Sequence, residues 1–432
     1  MDAPLSIAVV GSGPSGCYIA QSLRRSLPQS EITIYDRLAS PFGLVRYGVA
    51  PDHQSTKSIQ SQFARLFERD NVRFAGNIEV GRDISLDQLR NSHHIVVLAA
   101  GLPGDRTVGV PGEDLPEVYR AGRLTRLFNA HPLEQTGLPK FGKSVAIIGG
   151  GNVSIDVLRM LIKQPEDFVN SDIDDAVLAE YVRAPAGRID LICRSTITNA
   201  PSDPVMLAEL GRIRGVRFSC PDPIDVAEGA PRTAVARAKA VEGLLEIDPG
   251  TETRVEVALH FGWAPVSING DGHVRSVELR SINDDRHNLR LDADSVVTAV
   301  GFDFDGGDWH GLGVLKANLE SGAIDQGLYR TGWIKRGSRG TIAENRSCAK
   351  AVAEEIVAGV DALKQQTKPG YGGLPLEVRA RAVDYSAWKR VDAAETEAAP
   401  EDRSRRKFPS HEHMVAIAHN KLVQATAGPG AN

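Results

Sequence analysis

Ile7-Ala8-Val9-Val10-Gly11-Ser12-Gly13-Pro14-Ser15-Gly16 is an apolar run that breaks into three glycines at the spacing Gly-x-Gly-x-x-Gly. Beyond it a helical pattern runs from Ser15 to Leu27, and a second apolar run, Ile32 to Tyr35, stops on Asp36. Strand, turn, helix, strand and acid in this order predict a dinucleotide-binding unit, which a lone glycine fingerprint would not. Each glycine has its own task. Gly11 permits the tight turn, Gly13 lets backbone approach a pyrophosphate, and Gly16 lets helix and strand pack closely while the helix N-terminus faces the anion. Asp36, at the end of the second strand, is placed to accept hydrogen bonds from both ribose hydroxyls, and a 2′-phosphate there would meet a like charge.

The pattern recurs. Val145-Ala146-Ile147-Ile148 leads into Gly149-Gly150-Gly151-Asn152-Val153-Ser154, with small Ser154 in the place of the third glycine and a helical pattern from Ile155 to Lys163. The next apolar run, Ile189 to Cys193, ends on Arg194 instead of an acid. A guanidinium at that position pairs with a 2′-phosphate, so the second unit reads as a site for NADP(H). Two further apolar runs, Ile95 to Ala100 before Gly101 and Ser295 to Val300 before Gly301, repeat one another and predict two related halves. The Gly-rich stretch Leu328 to Ile342 opens into a helical pattern from Glu344 to Val357, an arrangement that can cradle another polar cofactor group.

At 432 residues, 42% hydrophobic and 24% charged, the chain has the size and composition of a soluble protein of two or three domains. Its formal charge of −5 argues against a general nucleic-acid binder, and no apolar run approaches the length of a membrane span. The first strand begins so early that no secretory leader is expected, which makes the cytoplasm the expected compartment. Cys17, Cys193, Cys220 and Cys348 are widely spaced and form no Cys-x-x-Cys pair. His411-Glu412-His413 lacks the His-Glu-x-x-His spacing, so no metal is expected there. Ser40 to His53 reads as an irregular loop, Gln54 to Glu68 as one helix, residues 395 to 407 as a polar interval and His411 to Gln424 as a helix.

Two nucleotide units in one chain describe a two-dinucleotide flavoprotein. Four motifs are more specific than either glycine turn: Pro41-Phe42-Gly43-Leu44-Val45-Arg46-Tyr47-Gly48-Val49-Ala50-Pro51-Asp52-His53, Val110-Pro111-Gly112-Glu113-Asp114, Gly151-Asn152-Val153-Ser154-Ile155-Asp156 and Gly332-Trp333-Ile334-Lys335-Arg336-Gly337. With them the chain resembles the adrenodoxin-reductase-type ferredoxin-NADP reductases along essentially its whole length. Trp388 before Asp392-Ala393-Ala394-Glu395 also resembles that family's C-terminal segment.

The resemblance implies an α/β fold with two Rossmann-like dinucleotide-binding domains. The NADP domain, residues 107–325, would be inserted in a discontinuous FAD domain made of residues 1–106 and 326–432. It implies hydride passing from NADPH to FAD and single electrons leaving to an acidic, ferredoxin-type iron-sulfur protein, with a monomer as the expected state. By position, Ser15, Asp36, Leu44, Val80, Trp333, Gly340, Thr341 and Ile342 would contact FAD, together with the fingerprint residues Gly11, Gly13 and Gly16. Arg106, Gly151, Asn152, Val153 and Ser154 would contact NADP, with Arg194, Ser195 and Glu209 on the same side. His53 and Asp156 match the residues near flavin and nicotinamide, and are the candidate catalytic pair through positioning and proton management.

Two departures stand out. Where the family reads Arg-Arg-Gly-Pro, this chain has Arg194-Ser195-Thr196-Ile197, so one guanidinium of the phosphate clamp is replaced. At about 1.5–3 kcal/mol for a hydrogen bond to a charged group, that loss costs roughly one to two orders of magnitude in affinity unless Ser195, Thr196 or another base compensates. Ser338-Arg339 stands in place of the usual Pro-Thr beside the flavin. Arg212, Arg214, Arg217, Arg232, Arg237 and Lys239 form a candidate docking patch for the acidic partner. The same features admit a flavoprotein acting on a small molecule, or a nucleotide-binding scaffold without turnover. Disulfide reductases are disfavoured by the absent cysteine pair.

Overall fold

Two parallel sheets, each nucleated on a strand that ends in a glycine turn, carry the chain. The computed structural model describes residues 4–134, 139–250, 252–284, 286–304 and 320–421. Along the chain the strands are β1 Ser6–Val10, β2 Glu31–Tyr35, β3 Val72–Ala75, β4 Ile95–Leu98, β5 Gly104–Asp105, β6 Val118–Arg120, β7 Ser144–Ile148, β8 Arg188–Cys193 and β9 Val216–Ser219. They continue as β10 Val255–Phe261, β11 Trp263–Gly270, β12 Val274–Ser281, β13 Asn288–Asp292, β14 Ser295–Thr298, β15 Phe302–Asp303, β16 Ala323–Asp325 and β17 Leu328–Arg330.

The first sheet has the order β16-β17-β4-β1-β2-β3 and is parallel except at its β16 edge. Its strands come from both ends of the chain. The second, β6-β14-β7-β8-β10-β9, is parallel throughout and lies in sequence between β4 and β16. This is the expected α/β class, with one Rossmann-like sheet inserted into another. Covered on both faces, such strands must be apolar along their length, as Ile7, Ala8 and Val9 are in the first sheet and Val145, Ala146 and Ile147 in the second. The antiparallel ribbon β11-β12-β13 covers one face of the second sheet, packing Trp263, Ile268, Val277 and Leu279 against Ala146, Ile148, Ile192 and Val296.

The predicted relation between the halves holds down to single hydrogen bonds. Gly11 N donates to Tyr35 O at 2.8 Å and Gly149 N to Ile192 O at 2.9 Å. Ala99 N donates to Val10 O at 2.8 Å and Ala299 N to Ile148 O at 2.7 Å. Gly11 (φ +106°) and Gly149 (φ +148°) both turn in the region open to glycine, and a Cβ on them would come within 2.6 Å of Ala99 O and 2.3 Å of Ala299 O. At the third position the halves differ. A Cβ on Gly16 would sit 1.8 Å from Gly11 O, whereas buried Ser154 turns its hydroxyl back to donate to Gly151 O at 2.6 Å.

Three local expectations need correction. The Ser40 to His53 loop contains a helical turn, Leu44–Tyr47. The single helix expected over Gln54 to Glu68 is two, Gln54–Lys57 and Ile59–Glu68. Ser58 Oγ donates to Ser55 O at 2.6 Å and Ser61 N to Ser58 O at 3.0 Å, tightening the backbone where the two pieces meet. The last helix is His411–Ala418, ended by Asn420 in the left-handed region, and Gln424 lies outside the described residues. Among the described residues no helix is long and apolar enough to cross a membrane.

Candidate functional site

Both glycine turns open onto one cleft of about 560 Å³. From the first half it is lined by Gly11, Gly13, Ser15, Asp36, Leu44 and His53, from the second by Asn152, Val153 and Asp156, and from the returning chain by Trp333, Gly340, Thr341 and Ile342. These thirteen of the sequence-predicted residues therefore share one cleft, while Gly151 and seven others lie outside its lining. Two long helices, Pro14–Ser26 and Ile342–Ala358, present their N-termini to the cleft; the first has no side-chain cap, which makes it a place for an anion, whereas the second is closed by a capping box in which Glu344 accepts from Thr341 N at 2.6 Å. Ser15 Oγ donates to Asn345 Oδ1 at 3.1 Å, and a Cβ on Gly332 would fall 1.9 Å from Ser15 Oγ, so the approach of the two helices depends on that glycine.

A nucleotide cofactor fits the free space and free valences here. Apart from the adjoining backbone, no atom of the described residues stands within 4 Å of the position a Cβ would take on Gly13 or Gly151. The Trp333 ring stacks on Phe302 at 5.3 Å, and its buried Nε1 has no partner among the described residues. Asp36 is more committed than its position in the sequence suggests. Oδ2 accepts from Ser12 N at 2.9 Å and Ser12 Oγ at 2.5 Å, and Oδ1 accepts from Leu38 N at 2.9 Å. With about four lone-pair sites on a carboxylate, that leaves room for one more donor instead of two.

His53 stands between two carboxylates. Its Nδ1 is 3.6 Å from Asp156 Oδ1 on the helix Asn152–Ile162, and its Nε2 is 3.6 Å from Glu209 Oε2 on the helix Pro204–Leu210. Burial pushes the Asp156 carboxyl up, opposed by Arg159, which donates to Asp156 Oδ1 at 2.9 Å, and by His53. Arg159 also binds Asp52, through Oδ1 at 2.9 Å and through Oδ2, and Lys163 Nζ lies 2.5 Å from Asp52 Oδ2. Burial would push the Asp52 carboxyl up, but Arg159 and Lys163 hold it well below the ordinary carboxylate range.

The remaining predicted residues lie outside the lining. Gly16 and Ser154 are buried under the turns, and Val80 is buried beside Ile84. Arg106 is exposed, its N donating to Gly301 O at 2.9 Å. Arg194 is exposed at the end of β8, and Ser195 O accepts from Gly262 N at 3.0 Å. Glu209 faces His53. Arg237 leaves the candidate docking patch: it turns inward and donates to Ser202 O at 2.9 Å, Ile197 O at 3.3 Å and Thr198 O. Ser338 Oγ accepts from Phe302 N at 3.2 Å, bracing the ring that stacks on Trp333, while Arg339 is exposed. The cleft also takes Phe302, Met206 and His131, which no motif signals.

All four cysteines are unpaired, and burial, with the Asp36 charge, pushes the Cys17 thiol far up. His411 Nε2 accepts from Ala39 N at 3.1 Å, and among the described residues no group of three or more His, Cys, Asp or Glu side chains is disposed to hold a metal.

A family model described as pyridine nucleotide-disulphide oxidoreductase matches residues 5–170. Cindoxin reductase of Citrobacter braakii is 38% identical over 98% of this chain and 93% of its own length. A mitochondrial NADPH:adrenodoxin oxidoreductase of Arabidopsis thaliana is 31% identical over 96% of each chain. Among solved structures, Mycobacterium tuberculosis FprA in complex with NADPH gives a TM-score of 0.87 at 26% identity, covering 96% of this chain and 100% of that one.

The ion pairs beside His53 make a stability prediction. Breaking a buried pair costs about 3–5 kcal/mol, so Asp52→Asn should lower the melting temperature at neutral pH. Because the Asp52 carboxyl is held below its unfolded value, its contribution is complete above about pH 4 and is lost as pH falls through the folded value. Melting curves of parent and variant should converge in acid.

Proposed function

The chain belongs to the family of cindoxin reductase and the NADPH:adrenodoxin oxidoreductases, and from that premise we propose that it is an FAD-dependent oxidoreductase that oxidises NADPH and delivers single electrons to a ferredoxin-type iron-sulfur protein. The observation that carries this reading is the convergence on a single cleft of two nucleotide turns, the strand beyond the first leading to Asp36 and the strand beyond the second to Arg194. Bound FAD supplies the conversion of a hydride, two electrons at once, into electrons released singly.

Within that cleft Gly11, Gly13, Ser15, Asp36, Leu44, Trp333 and the Gly340–Ile342 turn hold FAD, and Asn152 and Val153, with Gly151 next to them just outside the lining, hold NADP(H). Gly16 and Ser154 act indirectly, by letting the two turns close. Asn152 Oδ1 accepts from Asp203 N at 2.8 Å, tying the second turn to the helix that carries Glu209. Val80 closes the FAD side behind the lining, and Arg106 offers a cation beside Gly301. Hydride transfer needs alignment and an exchangeable proton but no nucleophile. His53, held between Asp156 and Glu209, is the group suited to both tasks.

NADPH is the preferred donor, with Arg194 as the remaining guanidinium and Ser195 beside it. Arg237 supports the clamp from behind by fixing the carbonyls of the Ile197–Ser202 loop. The acidic partner docks on the second half through exposed Arg212, Arg214, Arg217, Arg232 and Lys239. The working unit is a monomer, since one chain supplies both turns, and four unpaired cysteines suit the reducing cytoplasm.

The direct test is NADPH-driven reduction of an acidic [2Fe-2S] ferredoxin by FAD-loaded protein. The rate should fall as salt screens the docking charges, while NADPH-driven reduction of ferricyanide should not. Ferricyanide reduction with none of the iron-sulfur protein would favour a small-molecule flavoprotein. Arg194→Ala should weaken NADPH binding by about 10- to 100-fold and leave NADH binding unchanged; equal effects on both would remove Arg194 from the clamp.

A further inference from the structure

We propose that Lys407, in the C-terminal segment, is a positioning residue for hydride transfer: with Lys57 it fastens the loop that carries His53 to the second half of the molecule. The proposal rests on the role given to His53 above.

Two buried ammonium groups bind the same three acceptors. Lys57 Nζ donates to Arg46 O at 3.3 Å, Asn129 Oδ1 at 2.6 Å and Asp172 Oδ1 at 2.6 Å. Lys407 Nζ donates to Arg46 O at 3.1 Å and Asn129 Oδ1 at 2.9 Å, and pairs with Asp172 Oδ2 at 2.9 Å. All three N–H donors of each lysine are thereby used. The four side chains are at most 4% exposed.

The clamp grips the segment that leads into His53. Besides Arg46 O, Asn129 Nδ2 donates to Val49 O at 3.0 Å and Asp172 N to Pro51 O at 3.0 Å. Lys57 N donates to His53 O at 3.1 Å. Asn129 lies between β6 and β7 and Asp172 between β7 and β8, so their bonds to Val49 O and Pro51 O cross from the second half to the first, and the Lys407 bond to Arg46 O comes from the C-terminal segment. Lys407 is itself seated by its neighbour: Phe408 N donates to Glu395 Oε1 at 3.1 Å, and the other Glu395 oxygen binds the Arg46 guanidinium, which lies 4.7 Å from the Trp388 ring centroid.

Taking two ammonium groups out of water against one carboxylate is costly, and an apolar plug would hold the halves together more cheaply. What the polar cluster supplies is a single arrangement, because each donor and acceptor is matched only in one register. Alignment is what hydride transfer requires, and a displacement of about 1 Å can cost about 100-fold in rate.

The test uses FAD-loaded, full-length protein. Lys407→Met leaves Lys57 and Asp172 as a balanced pair, so no buried charge is stranded. Single-turnover flavin reduction by NADPH should slow by about tenfold or more, with the NADPH dissociation constant within about twofold of the parent. In a His53→Gln background the same substitution should change the rate by less than about twofold, because its target is gone. A parent-like rate in Lys407→Met, or a loss that adds in full to that of His53→Gln, would overturn the proposal and leave the proposed function standing. A His53→Gln variant that reduces at the parent rate would remove the role given to His53 and the positioning proposal with it. Should Lys407→Met not fold, Lys57→Met removes the other half of the clamp with the same charge balance and carries the same expectations.

Discussion

A dinucleotide phosphate can reach backbone N–H groups only where no side chain stands between them, and this steric constraint organises the chain twice. In each half the first strand must end at a glycine able to turn beneath a neighbouring carbonyl: Gly11 against Ala99 O and Gly149 against Ala299 O. The parallel order of both sheets, the apolar runs that end at Gly101 and Gly301, and the helices that follow each turn are arranged around that contact. The two halves part where their tasks do. The strand beyond the first turn ends at Asp36 and the strand beyond the second at Arg194, opposite signs of charge at equivalent places in the two halves.

Between the turns, the cleft takes in a segment that belongs to the first half by sequence and is tied to the second. Asp52 is bound by Arg159 and Lys163, and His53 lies between Asp156 and Glu209. The carbonyls of Arg46, Val49 and Pro51, just before His53, are bound by the two buried lysines, Asn129 and Asp172. In low dielectric such matched charges are stiff as well as strong. The irregular stretch after Ser40 is thus one of the more constrained parts of the chain.

Much of this was legible in the residues. The glycine turns, both charge-bearing strand ends and the cleft residues Leu44, Trp333 and Gly340 follow from local pattern or motif, since each depends on neighbours a few positions away. What escaped depends on distant partners. Lys57 and Lys407 are separated by most of the chain, and alone each reads as a solvated lysine; only folding brings them to one carboxylate. Residues 395 to 407 read as a polar interval for the same reason, although Glu395 and Lys407 are buried. Arg237 has the composition of a surface patch, and its inward turn follows from carbonyls presented by the loop after β8. Helices such as Ala121–Phe128 and Arg232–Leu245 carry no motif of their own.

Electron transfer between two nucleotides in one cleft is measured most directly by anaerobic stopped-flow mixing of FAD-loaded protein with NADPH and, separately, NADH. The flavin's visible absorbance should be lost rapidly with NADPH and more slowly at equal NADH. FAD that stays oxidised with both nucleotides, in protein that holds it stoichiometrically, would contradict such transfer.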